Sequence, residues 1–125
     1  MRRLAFVLLM GFQLETLACG ICIDDKVASC YDHAVVTGAK ARGDAVAFLA
    51  IEGQLVRSAQ TRGAVLRAIR SASGVQRASA RVSLESAALS FAYDPRRASV
   101  DAIRATLDAR LAPQGLTLRL LREMR

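Results

Sequence analysis

The sequence is poor in the residues that carry most enzyme and metal chemistry. It has one histidine, His33, three cysteines, Cys19, Cys22 and Cys30, and no tryptophan. With a single histidine there is no His-Glu-x-x-His helix, and no Ser, His and Asp stand at a spacing that suggests a hydrolytic triad. A glycine-rich phosphate loop is missing, as are linkers, low-complexity tracts and repeats of solenoid period. Glu52 and Asp44 flank one apolar run without the partner that an acid/base pair needs. Together these absences argue against an enzyme.

Long apolar runs are scarce too. The most extended one, from Leu4 to Leu14, is cut by Gln13 and closed by Glu15, well short of the roughly 20 residues that span a bilayer. Arg2 and Arg3 precede it and Thr16-Leu17-Ala18 follows it, the layout of a cleaved secretory signal over residues 1–18. The expected location of the remainder is periplasmic or secreted, with no stable membrane span after cleavage. Acylation of Cys19 as the first mature residue is a weaker alternative, since Thr16 is a poor match to a lipoprotein signal. Cleavage after Gly20 would remove Cys19 altogether.

What is present is an apolar, basic chain: 125 residues, 53% hydrophobic, formal net charge +7. Loss of Arg2, Arg3 and Glu15 with the leader changes this to +6 (+7 − 2 + 1). The cations are scattered as single arginines, which reads as a solvated surface with a bias toward anionic partners. The length suits one domain with a modest core.

The stretch from Ser71 to Pro95 organises the rest. Gly74 is suited to a helix exit and Pro95 to a strand stop, so the segment reads as a β-hairpin fed by a helix. Before it, Val65, Ala68, Ile69 and Ala72 form one stripe of a helix over residues 61–72, preceded by an uninterrupted apolar strand, Ala45 to Ile51. Within the hairpin, Ala78, Ala80 and Val82 alternate with polar residues, as do Leu89, Phe91 and Tyr93, which predicts one buried and one wet face. Ser99 caps a helix bearing Val100, Ile103, Leu107 and Leu111 on one side. Leu116, Leu118 and Leu120 form a last strand, and residues 122–125 are expected to fray. Upstream, Asp24 and Asp25 suit a helix N-terminus, and one helix is expected from about Asp25 to Arg42.

Strand, helix, strand, strand, helix, strand predicts an α+β, ferredoxin-like βαββαβ sandwich, residues 44–125, with an extra N-terminal helix in a Cys-containing segment, residues 19–43. Helices are expected on one face of an antiparallel sheet. Right-handed crossovers place the first and third strands in the middle and the second and fourth at the edges.

From Ala45 to Arg122 the chain resembles the heavy-metal-associated (HMA) domain. The marks are Ile51-Glu52-Gly53 closing the first strand, Ser73-Gly74-Val75 after the first helix, Tyr93-Asp94-Pro95 after the hairpin, and the helix from Ser99 to Leu107. The resemblance implies the fold and a soft-metal carrier. Its metal loop, Met-x-Cys-x-x-Cys, is missing. Counted from Gly53 the two thiols would fall at Val56 and Ala59, and counted back from Gly74 at Ser58 and Thr61. No ligand is carried over from the family.

Candidate metal ligands lie elsewhere, at Cys19, Cys22, Cys30 and His33, the residue types of a zinc or soft-metal site. Cys30 and His33 are expected to share a helical face. Cys19 and Cys22 are expected just before a helix N-terminus, where the dipole favours thiolate. In an oxidising compartment these two instead form a disulfide and Cys30 is a buried helix residue. A strand does not precede the Cys-x-x-Cys, which argues against a thioredoxin-like role.

Two functions follow. One is an extracytoplasmic metal-binding or metal-handling domain for Cu, Hg or Zn, passing its ion to a metal-transport or other extracytoplasmic protein. The alternative is a non-catalytic protein-interaction module with a degenerate HMA fold, docking through Arg77, Arg81 and Arg119 on the edge strands. Nucleic acid is not an expected partner, because Ser79 and Arg81 stand where stacking aromatics would be needed.

Overall fold

A computed structural model describes the backbone from Glu15 to Arg125 and the side chains from Ile23 onward. The proposed leader therefore lies outside the described residues, except that its last four positions begin the first helix. In chain order the elements are α1 (Glu15–Cys30), α2 (His33–Arg42), β1 (Ala45–Gly53), α3 (Ala59–Ser71), a 3-10 turn (Arg77–Ser79), β2 (Arg81–Ser83), β3 (Ala88–Tyr93), α4 (Val100–Leu111), a second 3-10 turn (Ala112–Gln114) and β4 (Leu116–Met124). No helix among the described residues is long and apolar enough to cross a membrane.

The protein is α+β, with a four-stranded antiparallel sheet in the order β2-β3-β1-β4. The first and third strands are central, as expected. Ser58 and Ser99 cap α3 and α4 through their hydroxyl oxygens, which accept from the amides of Thr61 and Ala102. α3 ends at Ser71 with Ala72 as its cap, so Gly74, expected at the helix exit, lies in the turn beyond it, at φ +87°, a conformation that favours glycine.

Both faces of the sheet are covered, which corrects the one-sided arrangement expected above. On one face Ala47, Leu49, Leu89, Phe91 and Leu118 meet Val65 and Ile69 of α3 and Ile103 and Leu107 of α4. On the other, Val46, Phe48, Ala88 and Ala92 meet Val27 and Cys30 of α1 and Ala39 of α2. Successive residues of β1 thus feed two cores, and its apolar run has no polar alternation because neither face meets water. The same cover buries all six residues of β3, so the wet face expected there does not exist. Ala88, Ser90 and Ala92 are small, which lets α1 lie close to that strand.

Three further expectations are corrected. The single helix over residues 25–42 is two helices, broken at Tyr31-Asp32. Asp24 and Asp25 are not its cap; they lie within α1, and Asp32 caps α2 by accepting from the amides of Ala34 (2.9 Å) and Val35 (3.4 Å). An aspartate offers amides a competing acceptor, which suits a break and a restart. The expected strand from Ala78 to Ser83 is shortened to β2 by the 3-10 turn, which leaves Ala78 exposed.

The C-terminus does not fray from Arg122. β4 runs on to Met124 and pairs with β1 as far as Val46. A bulge opposite Phe48 and Leu49 inserts one residue, so Leu120 packs on the α3/α4 side while Leu121 and Met124 pack on the α1 side. An extra residue reverses the alternation of everything beyond it. That reversal brings Glu123 to the Tyr93 hydroxyl, which donates to it, while Arg122 pairs with Asp24 of α1 at 3.0 Å. Burial and the Glu123 carboxylate push the Tyr93 hydroxyl above its ordinary range.

Candidate functional site

The candidate ligands gather on α1 and at its junction with α2. The helix begins at Glu15, so Cys19 and Cys22 lie within it and not ahead of its N-terminus. This corrects the reason given for their activation, since the dipole acts only near the first turn. Cys22 and Cys30 are eight residues apart in one helix, about 12 Å along its axis.

Cys30 is the last residue of α1 and is buried, 4% exposed, in the second core. Burial pushes its thiol upward, although the Ser29 hydroxyl at 3.7 Å and the backbone of Ser83 oppose this. His33 starts α2 on the far side of the break and is exposed. Its Nδ1 lies 3.3 Å from the Tyr31 hydroxyl and its Nε2 3.4 Å from Thr37 Oγ1. The two residues therefore do not share a helical face. Among the described residues no three His, Cys, Asp or Glu side chains converge as a metal cluster would require.

The loop that the HMA resemblance would use, between β1 and α3, contains Gln54, Leu55, Val56, Arg57 and Ser58. It has no thiol, imidazole or carboxylate, so it does not fit the family's ion.

The three arginines expected to form a docking edge are dispersed. Arg77 is exposed on the first 3-10 turn and Arg81 is on β2, whereas Arg119 is on β4 at the opposite edge of the sheet. Arg81 donates from Nε (3.2 Å) and Nη2 (3.0 Å) to Asp32 Oδ2, and its Nη1 donates to the carbonyls of Ala78 and Ala80. Arg119 is paired with Glu52.

Sequence reasoning missed Lys26 and Asp32, two of the residues that fasten α1 and α2 to the sheet. Lys26 Nζ donates to the carbonyls of Ser86 and Ala87 in the β2–β3 turn. Asp32 spends one oxygen on the α2 cap and the other on Arg81, 49 positions away. Only the local half of that pairing leaves a sequence signal, an aspartate inside a helical pattern.

The Arg81 guanidinium, aided by the Val35 and Ala34 amides, holds the Asp32 carboxyl below the usual range. A lowered native value means that its stabilisation is complete above the unfolded value, about pH 4, and is lost as pH falls through the native one. Asp32→Asn, which keeps a cap oxygen and removes the charge, is expected to flatten the loss of melting temperature below that pH. Parallel acid limbs for wild type and variant would show that the Arg81 pair contributes nothing.

No protein-family model matches the chain, and no curated protein matches it.

Proposed function

We propose that the chain is a small extracytoplasmic metal-binding domain that takes a soft or borderline ion, Cu, Hg or Zn, through Cys19 and Cys22. The observation that carries this reading is the course of α1. Positions three apart in a helix are surface neighbours, so one helix can offer two thiolates to one ion, and thiolates select soft ions. Cys30 lies too far along the axis to join them and serves the core. The domain binds and releases; it does not catalyse. The extracytoplasmic assignment rests on the leader, and the receiver of the ion is a metal-transport or other extracytoplasmic protein.

The carrier is read as a ferredoxin-like βαββαβ sandwich. The strand order β2-β3-β1-β4, with α3 and α4 each connecting two strands, supports that reading. The two N-terminal helices then form an added layer that presents the thiols outside the family's loop.

Reduced protein dialysed separately against Cu(I), Hg(II) and Zn(II) is expected to retain one of them stoichiometrically. Cys19→Ser/Cys22→Ser should lose the ion, while Cys30→Ser and His33→Ala keep it. Uptake no greater than that of the double serine variant would end the proposal.

A further inference from the structure

Between Glu52 and Glu85 the chain has no carboxylate side chain, yet it carries Arg57, Arg62, Arg67, Arg70, Arg77 and Arg81. The fold keeps this stretch in one place. It forms the β1–α3 loop, α3, the first 3-10 turn and β2, and α3 packs on both of the last two.

Four of the six arginines line two hollows along the seam between α3 and β2: Arg57 and Arg62 in one, Arg62, Arg70 and Arg81 in the other. Arg62 belongs to both, so the hollows adjoin at its side chain and make an open, two-part channel along the seam. Apolar side chains, Leu66, Val82 and Leu84, lie among the guanidinium groups. Two carboxylates also line the channel. Asp32 is taken up by Arg81, and Glu85 stands in the first hollow.

The remaining arginines have capacity to spare. Arg57 donates one N–H to the Glu85 carbonyl (3.3 Å) and Arg62 one to the Val82 carbonyl (2.9 Å). Arg70 is exposed and makes no hydrogen bond or ion pair among the described residues. A guanidinium has five N–H donors in a fork that matches a carboxylate.

We propose that this seam binds an extended, acidic peptide segment of a partner protein. Arg62 and Arg70 are eight residues apart on α3, about 12 Å along its axis. Side chains on one face of an extended chain recur about every 6.7 Å. Carboxylates four residues apart in such a peptide therefore meet both arginines, and the apolar floor receives the side chains between them. A recessed channel suits a chain better than a flat lipid surface. Single-stranded nucleic acid is held by aromatics in series, and Tyr31 is the only aromatic lining this channel. The seam uses neither Cys19 nor Cys22, so it stands or falls independently of the metal site.

The test is fluorescence anisotropy of a labelled peptide with glutamate at every fourth position, leucine midway between the glutamates and serine elsewhere, so that glutamate and leucine alternate along one face of the extended chain. Arg62→Gln/Arg70→Gln is expected to weaken binding about tenfold. Arg97→Gln/Arg110→Gln, equal in charge change but at α4 and the turn before it, should bind like wild type. Arg62 also holds Val82, so Arg70→Glu supplies a variant that breaks no described contact and is expected to lose at least as much. Three results would overturn the proposal: equal binding of the peptide with glutamine for glutamate, equal loss in the α4 variant, or tighter binding of oligothymidylate or phosphatidylglycerol vesicles than of the acidic peptide.

Discussion

Phe48→Ala is expected to lower the free energy of unfolding by about 3–5 kcal/mol. Phe48 is 1% exposed and is, among the described residues, the one aromatic of the core between the sheet and α1/α2. Ala39, Ala88 and Ala92 of the same core are too short to fill the space it would leave, and how far Val27, Leu121 and Met124 relax into it sets where in that range the cost falls. A domain of this size has about 5–15 kcal/mol in total, so the variant loses a large share of it. Urea titration reads the effect as a lower midpoint at an unchanged slope. A loss below about 1 kcal/mol would mean that α1 and α2 do not cover this face, and the two-core description would fail with it.

Gly53→Ala tests the closure of the sheet at the other end of β1. Gly53 has φ +111°, and a Cβ built there lies 2.2 Å from the Gly115 carbonyl oxygen. Two costs combine. The backbone conformation is nearly confined to glycine, worth about 1–3 kcal/mol, and the overlap is with backbone, which no rotamer relieves. A total near 3 kcal/mol or above is expected on those grounds. Gly43→Ala separates the two terms. Gly43 also has a positive φ, +75°, yet nothing lies within 4 Å of the added carbon, so only the left-handed penalty of about 1–2 kcal/mol applies. Equal costs at the two positions would show that the contact with Gly115 relaxes freely.

The comparison of these glycines also shows how far sequence reading reached. Gly53 was legible as the end of an apolar strand, because a break in an apolar run is a local event. Part of its need to be glycine comes from Gly115, 62 positions away (115 − 53), and no local pattern records that. The same division runs through the fold. The stripe on α3, the cap at Ser99, and the central places of β1 and β3 follow from spacing and composition, and the structure agrees with them where they were expected; the cap at Ser58 was not among them. The second layer was not legible. Alanine and serine at positions 88, 90 and 92 alternate with larger residues much as a solvated face does, and small residues under a closely packed helix give the same pattern.

The candidate site divides in the same way. Four potential ligands within a short stretch were visible as residue types. Which of them can act together depends on the helix running through Cys19 and Cys22 and on the break after Cys30. Asp32 creates that break locally, but its second oxygen is held by Arg81 from across the chain.

Local pattern was enough for the order of strands and helices from β1 to β4, the apolar character of β1 and β3, and the loss of any ligand from the β1–α3 loop. These properties depend on periodicity and residue type, which act over one or two turns of chain. Only the packing of the whole chain shows that the sheet is buried on both faces, that Cys30 belongs to the core, that Asp32 meets Arg81, and that Arg62 and Arg70 of α3 and Arg81 of β2 line one seam. Each of these requires groups distant in the chain to meet, and such meetings are set by how the whole apolar surface is buried rather than by any local preference.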